Sequence, residues 1–247
     1  MSWALWHRGY PDQSARAADH ALALSRQLGH ALTLANALSF ASRAAVFARD
    51  VATACVYCND CVAIANEHGF PQWAAYGRVV QGWVDAQKGQ ATAGIARIRD
   101  SMAAVEAMGT RATAPFFLTL LAEALALAGK IEEGLAALDD ALAKTAISGE
   151  RGLDAEIHRL RGELTGRLPH PDPAKAEVSF RTAIAIAREQ GTRGYELRAA
   201  TSLARLLRDT GRRDEACKML ADIYGWFTEG FDTADLKDAK TLLAELT

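Results

Sequence analysis

The stretch Gly82-Trp83-Val84-Asp85-Ala86-Gln87-Lys88-Gly89-Gln90-Ala91-Thr92-Ala93-Gly94-Ile95-Ala96-Arg97-Ile98-Arg99-Asp100-Ser101 decides the fold. Gly89 marks a turn between two helix-forming runs. The small residues Gly82, Gly94 and Ser101 let those two helices approach closely, and the bulkier Ile98 fills the groove between them. The same spacing recurs as Ser42, Ala54, Cys58, Cys61 and as Ala122, Gly134, Leu138, Ala141. With a two-residue insertion it gives Gly162, Ala176, Phe180, Ala183. Ala204, Ala216 and Leu220 complete the series, with Ile223 where a small residue is expected.

Outward from that stretch, glycines set the period. Gly29, Gly69, Gly109 and Gly149 fall forty residues apart, Gly191 follows after 42 and Gly230 after 39. Each ends a helical pattern at the place where a left-handed residue closes a helix. A second set, Gly9, Gly89, Gly129 and Gly211, splits the repeats. Arg49 takes that place in one repeat, and Leu168-Pro169-His170-Pro171-Asp172-Pro173 lengthens the turn in another. A fixed period with two helices per unit predicts an all-α solenoid of stacked hairpins, since one hairpin cannot bury its apolar face alone. About eleven or twelve helices and no sheet are expected. Pro71 suits a first helical turn, and Pro115, several residues past Gly109, points to a helix that starts late or kinks.

The expected organisation is a single domain, 1–247. It begins with a truncated first hairpin, 1–29, continues through repeats 30–69, 70–109, 110–149, 150–191 and 192–230, and ends in a capping helix, 231–247. Only eight residues precede Gly9, so the first hairpin reads as cut from a longer chain, with Trp3 and Trp6 partly uncovered. Solenoids need a cap at each end, and Leu236, Leu242, Leu243 and Leu246 would form the apolar side of the last helix.

Composition narrows the function classes. Half of the 247 residues are apolar and the formal net charge is −2. Acidic and basic residues are mixed; Arg212-Arg213 is flanked by Asp209 and Asp214. The basic stripe of a nucleic-acid binder is missing. The opening residues do not read as a signal peptide, and no apolar run is long enough to span a bilayer. The four cysteines suit a reducing compartment. A cytoplasmic protein that binds neither nucleic acid nor membrane is the expectation.

The spacing of small and bulky residues resembles that of tetratricopeptide repeats, here with a right-handed superhelix expected and a period of forty rather than 34 residues. Arg78, Gln81, His158 and Arg161 stand where that motif has apolar residues, so the packing face should roll toward Val80, Ile157, Leu160 and Leu164. The stretches His158-Arg159-Leu160-Arg161-Gly162-Glu163-Leu164 and Tyr224-Gly225-Trp226-Phe227-Thr228-Glu229-Gly230-Phe231-Asp232-Thr233 are similar to the C-terminal tetratricopeptide region of bacterial multidomain signalling ATPases. Many of these carry class III adenylate/guanylate cyclase domains, in an architecture like that of the maltose regulator. The resemblance implies a sensor or partner-binding arm whose catalysis lies in other domains. The chain has no G-x-x-x-x-G-K-[ST] phosphate loop, and no catalytic residue carries over, so the expectation is that it is not an enzyme and holds no cofactor.

Cys55, Cys58 and Cys61 have spacings that suggest zinc or an iron–sulfur cluster. The repeat register instead makes Cys58 equivalent to Ile98 and Leu138, and Cys61 to Ser101 and Ala141, which are packing positions, so no metal is expected. His158 lies in a charged stretch that reads as an interhelical salt-bridge patch, with an anion or nucleotide contact as the alternative. In the tetratricopeptide register the concave surface is lined by Asn36, Tyr76, Phe116, Glu156 and Arg198, by Ser39, Val79, Thr119, Arg159 and Thr201, and by Arg43, Trp83, Glu123, Glu163 and Arg205. Aromatic anchors flanked by arginine resemble a binding hot spot. A peptide or protein segment, with domains of the parent chain among its sources, is the leading occupant, with Tyr76 and Trp83 as anchors and Arg198 and Arg205 gripping an acidic group. The alternative is a small-molecule sensor controlling an attached ATPase or cyclase; a closed pocket would favour the metabolite, an open groove the peptide. A redox or metal sensor and a homo-oligomer are further possibilities.

Overall fold

Helix ends fall where the glycines place them except at Gly230, since α12 ends at Tyr224, six residues earlier. The computed structural model describes residues 2–110 and 113–247; residues 1, 111 and 112, two of them inside the expected repeat 110–149, lie outside the described residues. The helices are α1 (Ser2–His7), α2 (Pro11–Leu28), α3 (Ala31–Phe47), α4 (Val51–Glu67), α5 (Pro71–Gln87), α6 (Ala91–Ala107) and α7 (Ala114–Leu127). They continue with α8 (Ile131–Ser148), α9 (Asp154–Thr165), α10 (Pro173–Gln190), α11 (Arg193–Asp209), α12 (Arg213–Tyr224) and α13 (Ala234–Leu246), with a 3-10 turn at Arg151–Leu153. Among the described residues there is no strand, and the fold is an all-α solenoid of helical hairpins. The thirteen helices among the described residues are one or two more than expected. α7 starts late, with Pro115 in its first turn, and α5 opens on Pro71.

All ten period and turn glycines have positive φ. Arg49, in the turn that lacks a glycine, adopts the same left-handed conformation at φ 57°. Within the hairpins the small residues set the approach of the helices. A Cβ on Gly94 would strike the carbonyl oxygen of Gly82, and a Cβ on Gly82 would lie 2.7 Å from Ile98. The packing face rolls as anticipated: Val80, Ile157, Leu160 and Leu164 are buried. Arg78 and Gln81 instead reach across to Asn66 and Asn59 of α4, and Arg161 to Asp139 of α8.

The odd-numbered helices form the inner layer. Each packs on the next odd helix as well as on its hairpin partners. Burial reflects this: α11 buries twelve of its 17 residues, whereas the outer α6 buries five of 17. The solenoid then closes on itself, because α1 packs against α11. Trp6 stacks on Phe47 at 5.6 Å, meets Tyr195 edge-on at 5.2 Å, and lies 4.6 Å beneath the Arg198 guanidinium. Outside this contact, Gln13 donates through its backbone and side chain to Glu229, and the Gly230 amide donates to Asp12. The expectation of partly uncovered tryptophans therefore holds for Trp3, 39% exposed, and fails for Trp6, 4% exposed. Trp6 takes its cover from Phe47 of α3 together with Tyr195 and Arg198 of α11.

Candidate functional site

The concave face holds a partly open cavity of about 320 Å³. Its wall comes from α3, α5, α7, α9, α11 and α13. Of the concave residues expected from the register, Trp83, Phe116, Thr119, Glu123, Glu156, Arg159, Glu163, Arg198, Thr201 and Arg205 line it. Asn36, Ser39, Arg43, Tyr76 and Val79 do not. Asn36 is exposed. Arg43 lies over the Phe116 ring at 4.6 Å. Tyr76 is buried edge-on against Trp73 and Phe117, so it cannot serve as an open anchor while the ring stays packed. Trp83 is also buried, and its indole N–H donates to Glu123 Oε2 at 2.9 Å.

Charged side chains make up a large part of the wall, among apolar ones such as Phe47, Phe116 and Leu164. Arg159 grips Glu156 through two nitrogens, at 2.9 and 2.8 Å, and reaches Glu163 at 3.4 Å. Arg198 donates to Asp235 at 2.9 Å, lies 3.5 Å from Glu156, and donates to the Phe47 carbonyl. Arg205 pairs with Asp238 at 2.5 Å, and Ser202 donates to Glu163 at 2.6 Å. Arg198 therefore ties together α3, α9, α11 and α13, and its own acidic partners already occupy it. The arginines facing Glu156 hold its carboxyl below the usual range against the opposing push of burial. Glu123 moves the other way: burial raises its pKa, and the Trp83 hydrogen bond only partly offsets this.

Beside the cavity lie two buried polar atoms without a hydrogen-bond partner among the described residues, His7 Nε2 and the Tyr195 hydroxyl. The two rings are 4.9 Å apart. Burial, with Arg198 and Arg43 nearby, lowers the His7 pKa to about 4, so α1 presents a neutral imidazole at neutral pH.

The cysteines behave as packing residues. Cys58 and Cys61 are fully buried, and their thiols donate to the carbonyls of Cys55 and Ala35. Burial pushes both up to about 12. Cys55 is partly exposed and accepts from Lys88 at 3.2 Å. His158 is half-buried and lowered by burial. The charged patch around it splits, with Arg159 turning into the cavity and Arg161 out to α8.

Several wall residues lie beyond the reach of the repeat register. Asp235 and Asp238 belong to α13, which follows the last hairpin. Tyr195 sits near the start of α11, and nothing in its spacing distinguishes it from a core aromatic. Arg49 did carry a signal, as the one short turn of its set without a glycine.

No protein-family model matches the chain. A curated protein of Rhizobium meliloti (strain 1021), described as an uncharacterized protein, is 26% identical over 206 residues, a match covering 83% of this chain and 20% of that protein. The chain thus spans about a fifth of the length of this relative. Among the described residues, no helix is long and apolar enough to cross a membrane.

Proposed function

We propose that this chain is the sensor arm of a larger signalling protein and that it binds a small polar molecule in its interior cavity. The observation that carries this reading is the meeting of α3 with α11 and α13, which gathers the inner helices around a partly open, charge-rich pocket of about 320 Å³, within the range of small-molecule sites. A peptide laid along the concave face would need anchors that are already buried, at Tyr76 and Trp83, and an arginine, Arg198, that is already paired. The match to one-fifth of a much longer protein supports a role as one module among several, as does the resemblance to the helical arm of signalling ATPases. In this reading the arm performs no chemistry. Ligand binding tightens α3, α9, α11 and α13 around the cavity, and an attached ATPase or nucleotide cyclase reads the change.

A thermal-shift screen of polar metabolites against the chain tests this. A true ligand at a hundred times its Kd contributes about 2.7 kcal/mol. For a chain of this size that is a rise of roughly 5–10 °C in Tm. A panel without any shift, together with binding of peptides from the relative's flanking regions, would return the groove to protein segments.

A further inference from the structure

We propose that the cavity takes a small organic cation with one protonated primary amine, and that Glu123, oriented by Trp83, receives the ammonium. This rests on the cavity being a ligand site and names the class of ligand.

The argument begins with which charges are answered. Every arginine in the wall already faces a carboxylate: Arg159 and Arg198 share Glu156, Arg167 reaches Glu163 at 3.6 Å, Arg205 holds Asp238, and Arg49 lies 3.9 Å from Asp235. Of the wall's carboxylates only Glu123 has no cationic side chain within 4 Å among the described residues. Its one hydrogen bond comes from the neutral Trp83 indole, to Oε2. Oε1 takes no hydrogen bond and is not sealed off, so it opens to the cavity. A half-buried carboxylate without an ion-pair partner costs stability, and the Trp83 hydrogen bond with the more distant Arg159 and Arg198 offsets that cost only in part. The partner that would offset it is a ligand cation.

A second acceptor fits an ammonium, which carries three donors and no acceptor. Thr119 lies one turn before Glu123 on α7 and lines the same cavity. Its hydroxyl hydrogen goes to the Phe116 carbonyl at 2.7 Å, which leaves the oxygen lone pairs for a donor. The Tyr195 ring belongs to the same wall, but its hydroxyl is sealed inside the core and offers the ligand no acceptor as the side chains stand. A metal ion is a poorer occupant, since a hard cation wants six or more oxygens and, among the described residues, no three potential ligands are grouped to hold one. An anion would have to displace an existing carboxylate from its arginine.

The test is thermal shift and calorimetric titration of the whole chain with ethanolamine and glucosamine, paired with their neutral counterparts ethylene glycol and glucose, and with succinate as the anion. The expected result is a saturable rise in Tm with at least one amine and none with its neutral counterpart. Glu123→Gln should weaken that binding by about tenfold or more, the scale of a lost charge-assisted hydrogen bond, while still melting cooperatively. Equal binding of the amine to both proteins would overturn the proposal. So would shifts from succinate or the neutral compounds alone, which would leave the cavity as a ligand site of another class. No shift from any of the five probes would also overturn it, and the wider metabolite panel would then decide the fate of the cavity reading itself.

Discussion

At the scale of single residues, burial rather than motif chemistry decides what the titratable groups do. His7 is held near pKa 4 by burial, below its ordinary 6.5. Between those two values the unfolded chain binds a proton that the folded chain refuses, so stability falls as pH drops through that window. The loss approaches about 3 kcal/mol by pH 4, at about 1.4 kcal/mol per pKa unit. Melting at pH 7 and pH 5 should therefore differ more for the wild type than for His7→Phe; equal pH dependence would show that His7 is solvated. The cysteines give a second prediction. Cys58 and Cys61, pushed up to about 12 inside the core, should resist a thiol reagent at pH 8 in the folded protein, while the partly exposed Cys55 and Cys217 react. Rapid labelling of all four, or stoichiometric zinc in protein purified without chelators, would contradict the packing assignment. The packing of Cys58 and Cys61 was legible in the sequence, because the register aligned them with Ile98 and Ser101. The unpaired state of Glu123 was not, since it depends on which arginines other repeats deliver.

At the scale of the elements, the hairpin is set by contact between backbones. Gly82 and Gly94 face each other across α5 and α6, so close that a Cβ on Gly94 would meet the Gly82 carbonyl oxygen and lie 3.0 Å from the Ala86 nitrogen. The obstacles are backbone atoms, so a rotamer change cannot relieve them. Gly94→Ala is expected to cost about 2–3 kcal/mol as overpacking, or roughly 5–10 °C in Tm, despite alanine's better helix propensity. A variant as stable as the wild type would mean that the two helices can separate freely. These hairpins could be read from sequence because their determinants are local: a turn glycine, a small residue and its partners within about twenty positions. The Arg49 turn shows the limit of that reading. The missing glycine was visible, but not that Arg49 would keep the left-handed turn at φ 57° and point toward Asp235 of α13.

At the scale of the whole molecule, the decisive feature is the meeting of the two ends. It arises from the small rotation between successive hairpins, summed over the stack, which no local pattern records. Trp6 looked like an uncovered residue because only sequence neighbours were available to cover it. Beside Phe47, part of its actual cover, Tyr195 and Arg198, lies at the far end of the chain. The same summation brings Asp235 to Arg198 and makes a cavity from rows that would otherwise line an open groove. The seam is accessible to direct chemistry, because the Gln13 side chain donates to Glu229 at 3.1 Å on the protein surface. Zero-length carbodiimide coupling of the Q13K variant, read by mass spectrometry of the monomer, tests closure most directly. The ion pair Lys144–Asp140, 3.2 Å apart on α8, serves as the internal control. A closed ring predicts an intramolecular link between positions 13 and 229 at a yield comparable to that control. Coupling of the control with no link between 13 and 229, or with that link only in dimers, would contradict it.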